Sequence, residues 1–292
     1  MMPAPSRALH ASVGRVQQLS PRAIGHAATR ALYHELALSP KPGLVTLTDS
    51  GSHQDMDAHS FMRSLFALRS YFVAIAELGY QSADFAALER CGLQAEARML
   101  AATGGVNTHR GAIFMLGLLC AAAGALTRVG EPPSPQGLRD TLRMHWGAAL
   151  DARSQRPSSL PGGIAARKHG LRSASMEAAL AFPVLFETAV PALAAALERG
   201  RDAQHARLDT LFHTMAVLDD SNLAHRGGLE GLRHAQRSAR NFLAQGGSAR
   251  PDGLDAARAM GRDFVARRLS PGGAADTLAA ACWVVQLCSW AP

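Results

Sequence analysis

A chain of 292 residues with 48% hydrophobic side chains can build a large core, but only 5% of it is aromatic and four residues are isoleucine. That balance argues against a β-rich protein and for closely packed Ala/Leu/Val helices. The formal charge of +7 and a pI near 9.9 favour an anionic partner, yet no run of five or more cations occurs, so a nucleotide or coenzyme fits better than duplex nucleic acid or a membrane surface.

The pattern along the chain alternates Ala/Leu-rich helical stretches with short polar islands dense in Gly, Pro, His, Asp and Asn. Met1 to Gly14 has no apolar core, reads as no signal peptide, and with the next few residues makes 1–20 a flexible arm. A first helix is expected from Arg22 to Leu38, closed by Pro40 and Pro42, and a polar loop runs on to Met56. Asp57 or Ser60 caps the second helix, whose stripe of Leu65, Phe66, Leu68, Phe72, Val73 and Ile75 reaches Gly79. A third spans Ala83 to Ala102. Asn107 or Thr108 caps a fourth, the uncharged stretch Gly111 to Thr127, read as a buried helix rather than a membrane span because it is short and Gly/Ala-rich. After a proline-rich connection, helices are expected over Gln136–Arg153, Ser173–Arg199 with bends at Pro183 and Pro191, Ala203–Leu218, Leu229–Leu243, Leu254–Arg267 and Ala274–Leu287. The expectation is an all-α fold, a single irregular helical domain over 21–292 of about nine or ten helices.

Chemistry should sit in the islands, where glycine permits sharp turns and close approach while Asp, His and Asn supply donors and acceptors. Asp49, His53, Asp55 and Asp57 gather three carboxylates and an imidazole in nine residues, and a loop lets them converge on a hard cation such as Mg²⁺. Asp219 and Asp220, followed by Asn222, His225 and Arg226, form a second acidic cluster; adjacent carboxylates imply a metal or a raised pKa if buried. Thr103 to Gly111 places Asn107, Thr108, His109 and Arg110 at a helix start whose free amides favour an anion, without a P-loop pattern. Only two of the 30 basic residues are lysines, Lys41 and Lys168, and both lie in islands; Lys168 and His169 fall in a Gly-flanked segment suited to a phosphate flap. Asp276 reads as a favourable charge in the first turn of the last helix. Cys91, Cys120, Cys282 and Cys288 show neither a C-x-x-C pair nor zinc-like histidine spacing, which suits a reducing cytoplasm.

Taken together, Ser39-Pro-Lys-Pro-Gly-Leu-Val45, Gly51-Ser-His-Gln-Asp-Met-Asp57, Thr103-Gly-Gly-Val-Asn-Thr-His-Arg-Gly111 and Ser221-Asn-Leu-Ala-His-Arg-Gly-Gly228 resemble the triphosphoribosyl-dephospho-CoA synthase family. The resemblance spans Arg22 to Leu287 and implies an all-α fold that joins ATP to 3′-dephospho-CoA with release of adenine. The product would be the prosthetic-group precursor of an acyl carrier protein, passed on through a prosthetic-group transferase. Leu44 to His53, Ser64 to Arg69 and the N-terminal arm look more like the malonate decarboxylase branch than the citrate lyase one.

Such a reaction needs a base for the ribose hydroxyl, a donor for departing adenine and cations on the triphosphate. The resemblance implies Mg²⁺ held among Asp55, Asp57, Asp219 and Asp220, and phosphate contacts from Lys41, Arg110, Lys168 and Arg226. Thr108 and Asn222 join the substrate-binding set. His109 or a carboxylate free of metal serves as base, His225 or Asn107 contacts adenine, and Asp55 and Asp220 belong to one catalytic site. Two alternatives stay open on the residues: an Mg²⁺-dependent N-glycoside hydrolase using water, and a non-catalytic nucleotide-binding module.

Overall fold

The computed structural model describes residues 19–289; the expected arm lies outside the described residues except for Leu19 and Ser20. Twelve α-helices and no strand occur among the described residues: α1 (Pro21–Ala37), α2 (Ala58–Tyr80), α3 (Phe85–Thr103), α4 (Arg110–Arg128), α5 (Pro135–Ser154), α6 (Pro161–His169), α7 (Ala174–Ala179), α8 (Val190–Glu198), α9 (Ala203–Val217), α10 (Ser221–Ala244), α11 (Gly253–Ala266) and α12 (Gly272–Cys288). A π turn, Leu185–Ala189, leads into α8.

Local chemistry explains most boundaries. Ser20 accepts the Ala23 amide ahead of Pro21 to open α1, and Asp57 and Ser60 form a reciprocal capping box on α2. Asp84 caps α3, which stops at Gly104 in the left-handed conformation (φ 69°).

The count of twelve corrects the expected nine or ten in two places. The Gly-flanked segment expected to be a flap is the helix α6, opened by Pro161 and closed by Gly170 at φ 65°, the Pro-first, Gly-last arrangement that favours a helix. The expected helix over 173–199 is broken. Ala181 and Phe182 take positive φ just before Pro183, where the proline disfavours a helical residue ahead of it. The π turn then accommodates Pro191, which has no N–H for a regular ladder. The island 219–228 contributes the first turns of α10, which kinks at Gly228 (φ 63°, ψ −168°).

Packing is organised around α2 and α4. A Cβ on Gly79 would lie 1.9 Å from the Ala121 carbonyl oxygen, and one on Gly124 would lie 2.0 Å from that of Ala76, so the two backbones touch where neither helix carries a side chain. The apolar α4 has the length and composition of a membrane span, but α1, α2, α3, α5 and α12 surround it. One apolar cluster joins α1–α5, α7, α8 and the C-terminal half of α12. A second joins α9–α11 with Leu38, Leu44 and Leu269. Helix α12 belongs to both: Trp283, Val284 and Leu287 lie in the first, and Ala274, Ala275 and Leu278 in the second.

Because the clash at Gly124 is with backbone, Gly124→Ala cannot be relieved by a rotamer change. It should lower stability by about 1–3 kcal/mol, the range for overpacking, read as a lower urea midpoint at unchanged slope.

Candidate active site

A cavity of about 900 Å³ opens between the two apolar clusters. The α1–α2 loop forms one wall, and the starts of α4, α6, α10 and α12 converge on it. Helix starts carry unpaired amides and the positive end of the helix dipole, so their convergence favours an anion. Arg156, Arg167 and Arg226 add full charges on the walls, while Arg172, also on the wall, is paired with Glu177, Nε to Oε1 2.6 Å.

Two carboxylates fix how these helices meet. Asp220, 2% exposed, caps α10 by accepting the Asn222 and Leu223 amides at 2.9 and 3.3 Å on Oδ1. Its Oδ2 accepts the Ala274 amide of α12 at 3.0 Å. Burial pushes its pKa up to about 6, while these amides and that of Gly273 pull it down. Asp276, in the first turns of α12, borders the cavity with the Ala112 amide of α4 close enough to pull its pKa down. A Cβ on Gly111 would lie 2.0 Å from Asp276 Oδ2, so that glycine makes room for the carboxylate. Burial raises the Asp276 pKa well above the usual carboxylate range, with the Glu35 and Asp220 charges adding to it.

A buried polar group underlies the same region. Lys41, 5% exposed, donates to the Glu35 carboxylate and, at 2.7 Å, to the Glu35 carbonyl. Burial lowers its pKa against the pull of Glu35. His109 is 3% exposed; its Nδ1 shares a 2.6 Å hydrogen bond with Ser64 Oγ and its ring meets Phe61 edge-on. Its Nε2 is buried without a protein partner. Burial, then the Lys41 charge, lower its pKa to about 3, so the imidazole is neutral near pH 7.

The remaining expected residues divide. Asp55, Asp219, Asp220, Asn107, Thr108, His109, Arg110, Asn222, His225 and Arg226 all line the cavity, so the two acidic islands do share one chamber. Asp57 caps α2 on the exposed side and does not line it, and Lys168 is exposed on α6, also away from it. Lys41 is committed to Glu35 beneath the site. Arg110 is paired with Glu96, Nη2 to Oε1 2.6 Å, while Asn107 Oδ1 accepts the Arg110 amide to start α4. Asp219 accepts the Arg172 amide at 3.0 Å. Arg226 Nε donates to the Arg268 carbonyl at 2.8 Å. His53 Nε2 meets Ser270 Oγ at 2.9 Å, and burial followed by the Arg226 charge lowers its pKa.

The family model described as ATP:dephospho-CoA triphosphoribosyl transferase matches residues 21–292. The chain belongs to the ATP:dephospho-CoA triphosphoribosyl transferase family. It is 41% identical over 282 residues to 2-(5''-triphosphoribosyl)-3'-dephosphocoenzyme-A synthase of Klebsiella pneumoniae, covering 92% of each chain. It is 37% identical over 293 residues to the probable 2-(5''-triphosphoribosyl)-3'-dephosphocoenzyme-A synthase of Vibrio cholerae serotype O1 (strain M66-2), covering 97% of this chain and 93% of that one. No solved structure matches the chain. The protein is an enzyme, a transferase.

The transferase's cavity also contains groups that sequence reasoning passed over. Asp276 was legible only as a dipole partner, although it is the sole charge in α12. Glu35 and Ser64 sit on helix faces that otherwise read as core, and their pairing with Lys41 and His109 crosses elements.

The depressed His109 pKa has a sign that can be measured. The unfolded chain binds a proton near pH 6.5 and the folded chain resists it until about pH 3, so stability present above pH 6.5 is lost as pH falls. Between pH 7 and 5 this amounts to about 2 kcal/mol. Urea unfolding should show the stability of wild type relative to His109→Gln shrinking by about that amount over this interval.

Proposed function

We propose that the protein transfers the 5-triphosphoribosyl group of ATP to the 2′-hydroxyl of 3′-dephospho-CoA, releasing adenine. The family membership and the names of its relatives support the reaction class. The observation that carries it for this chain is the cavity itself: several helix starts and arginines face one chamber that also holds a neutral, unpartnered imidazole nitrogen and a proton-avid carboxylate.

In this reading the triphosphate lies against Arg167, Arg226 and the helix starts, which hold it away from phosphoryl transfer and leave the anomeric carbon as the reacting centre. Asp276 takes the proton of the attacking 2′-hydroxyl, since its environment favours the protonated acid. His109 Nε2 faces the departing adenine as a neutral hydrogen-bond donor, with Nδ1 accepting from the Ser64 hydroxyl. Asp220, whose oxygens are taken by backbone amides, keeps the helix starts in place.

Among the described residues no group of three or more His, Cys, Asp or Glu side chains is arranged to hold a metal ion. Mg²⁺ fits instead as the companion of the triphosphate, since it is commonly held by one or two carboxylates plus substrate phosphates. Asp55 and Asp219 are the members of the expected set that line the cavity with an oxygen to supply, since those of Asp220 are taken by amides. There the ion would neutralise charge on the triphosphate. The likeness of Leu44 to His53 and Ser64 to Arg69 to the malonate decarboxylase branch supports that system's acyl carrier protein as the destination, through a prosthetic-group transferase in the cytoplasm.

With ATP, dephospho-CoA and Mg²⁺, chromatography and mass spectrometry should show adenine and a joined triphosphoribosyl product in equal amounts. Free 5-triphosphoribose would show a hydrolase instead. Excess chelator should stop adenine release; undiminished release would remove Mg²⁺ from the reaction.

Asp276→Asn preserves shape while removing the base, and should lower kcat by about 10²–10⁴-fold. Thermal unfolding should show stability equal to or above wild type, because the variant removes a carboxylate repelled by Glu35 and Asp220. Retained kcat would move the base elsewhere.

A further inference from the structure

Every glycine in α1, α2 and α4 is required by contacts within the fold. A Cβ would come within 2.5 Å of a neighbouring atom at Gly25, 1.9 Å at Gly79, and 2.0 Å at each of Gly111, Gly117 and Gly124. Gly92, in the interior of α3, is different, as are Gly147 of α5 and Gly261 of α11, but of these three only Gly92 lines the cavity. A Cβ there would meet nothing nearer than the Tyr71 hydroxyl at 3.7 Å, an ordinary contact, and its φ is not left-handed. Glycine inside a helix is less favourable than alanine by about 1 kcal/mol, so the chain bears a cost at a position where its own packing asks for none. Gly92 faces the cavity, and glycine allows another molecule to approach the backbone closely.

The surroundings say what kind of molecule. Phe85, Leu88, Leu93, Phe114, Met115 and Leu118 line this lobe, with Leu93 62% exposed at its edge. Apart from Arg153 Nε, which is buried without a partner, its main polar groups are already paired. The Tyr71 hydroxyl donates to the Ile113 carbonyl at 2.9 Å, Arg110 is held by Glu96 and Arg153 by Glu89, and Arg153 also covers the Phe114 ring. With both arginines neutralised in ion pairs, the lobe lacks the uncompensated charge a triphosphate requires. It also presents few free donors or acceptors to read the edge of a base. It suits a flexible chain of methyl and methylene groups ending in a thiol, whose amides can turn to the open, solvated side.

We propose that this lobe seats the pantetheine arm of dephospho-CoA, and that Gly92 is kept free of a side chain so that the arm can lie against α3. The inference rests on the transferase reading above and assigns the acceptor's orientation: arm between α3 and α4, ribose toward Asp276 and His109.

Gly92→Leu fills the lobe, with Gly92→Ala as the smaller step. Steady-state adenine release should show KM for dephospho-CoA raised about tenfold or more in Gly92→Leu, the scale of a steric change in an apolar pocket, with KM for ATP changed less than about twofold. An unchanged KM for dephospho-CoA in a folded, adenine-releasing variant overturns the assignment. Wild type that releases no adenine overturns the transferase reading instead.

A direct measurement is independent of turnover and of whether the leucine variant folds. Gly92→Cys is treated with the 2-pyridyl disulfide of dephospho-CoA: the Cys thiolate attacks the coenzyme sulfur, pyridine-2-thione leaves, and a protein–coenzyme disulfide forms. Intact mass should show one more adduct than wild type, suppressed by excess S-methyl dephospho-CoA and by excess S-methyl pantetheine, which has the arm without the nucleotide. No additional adduct, or no suppression by S-methyl pantetheine, overturns the proposal.

Discussion

The architecture of the site depends on the Asp220 carboxylate, which is withdrawn from water and divided between two helix starts. One oxygen closes the first turn of α10 and the other holds the first turn of α12. Asp276 of α12 then sets its carboxylate against the start of α4 at Gly111. Removing one partner from a buried charged contact leaves the other unsatisfied and typically costs several kcal/mol, so the relative placement of the three helices is tightly held. There is a chemical consequence as well. Some of the amides that make helix starts attractive to anions are already occupied by the protein's own carboxylates, which leaves arginine side chains a larger part in holding phosphate.

The Lys41–Glu35 pair and the His109–Ser64 pair make a second polar layer beneath the cavity. A buried ion pair is commonly no more stabilising than well-packed apolar groups of the same volume, so stability alone does not account for it. Its effect on His109 is clearer: a fixed positive charge in a low-dielectric setting opposes imidazole protonation, and the ring stays neutral while facing a site for polyanions. The polyanion would otherwise favour a charged imidazole.

How much of this was legible in the sequence depended on distance along the chain. The Asp57 cap was read because it is a local event, made by residues within one helical turn; the Asp84 cap and the Pro21 start are equally local, although the expected helices began at Ala83 and Arg22. Helix α6 was missed although Pro161 and Gly170 mark its ends, because three glycines in ten residues outweighed Ala165 and Ala166 in a reading based on composition. The break at Ala181 and Phe182 lay next to a proline that did signal a bend, but two non-glycine residues at positive φ have no sequence signature. In the site, the islands did identify the cavity walls, since polar loop residues with no core to enter must face solvent or ligand. Lys41, Arg110 and Asp57 looked like ligand contacts because each has the right charge in the right island. Glu35 and Glu96, which neutralise the first two, stand six and fourteen positions away on helices, and the Asp57 cap was indistinguishable by composition from a metal ligand. Asp276 shows the reverse: a residue next to the chemistry whose conventional local explanation concealed it.

The burial of Lys41 leaves an unusual surface. The chain has two lysines; one is enclosed with Glu35, and the other, Lys168, stands on the outer side of α6 away from the cavity. The arginines that make the protein basic remain protonated at any working pH and are poor nucleophiles. Acylating reagents and amine-directed modifying enzymes therefore meet a highly cationic protein with a single accessible side-chain amine. A label placed there would be nearly stoichiometric by construction, and would report on the molecule without entering the chamber.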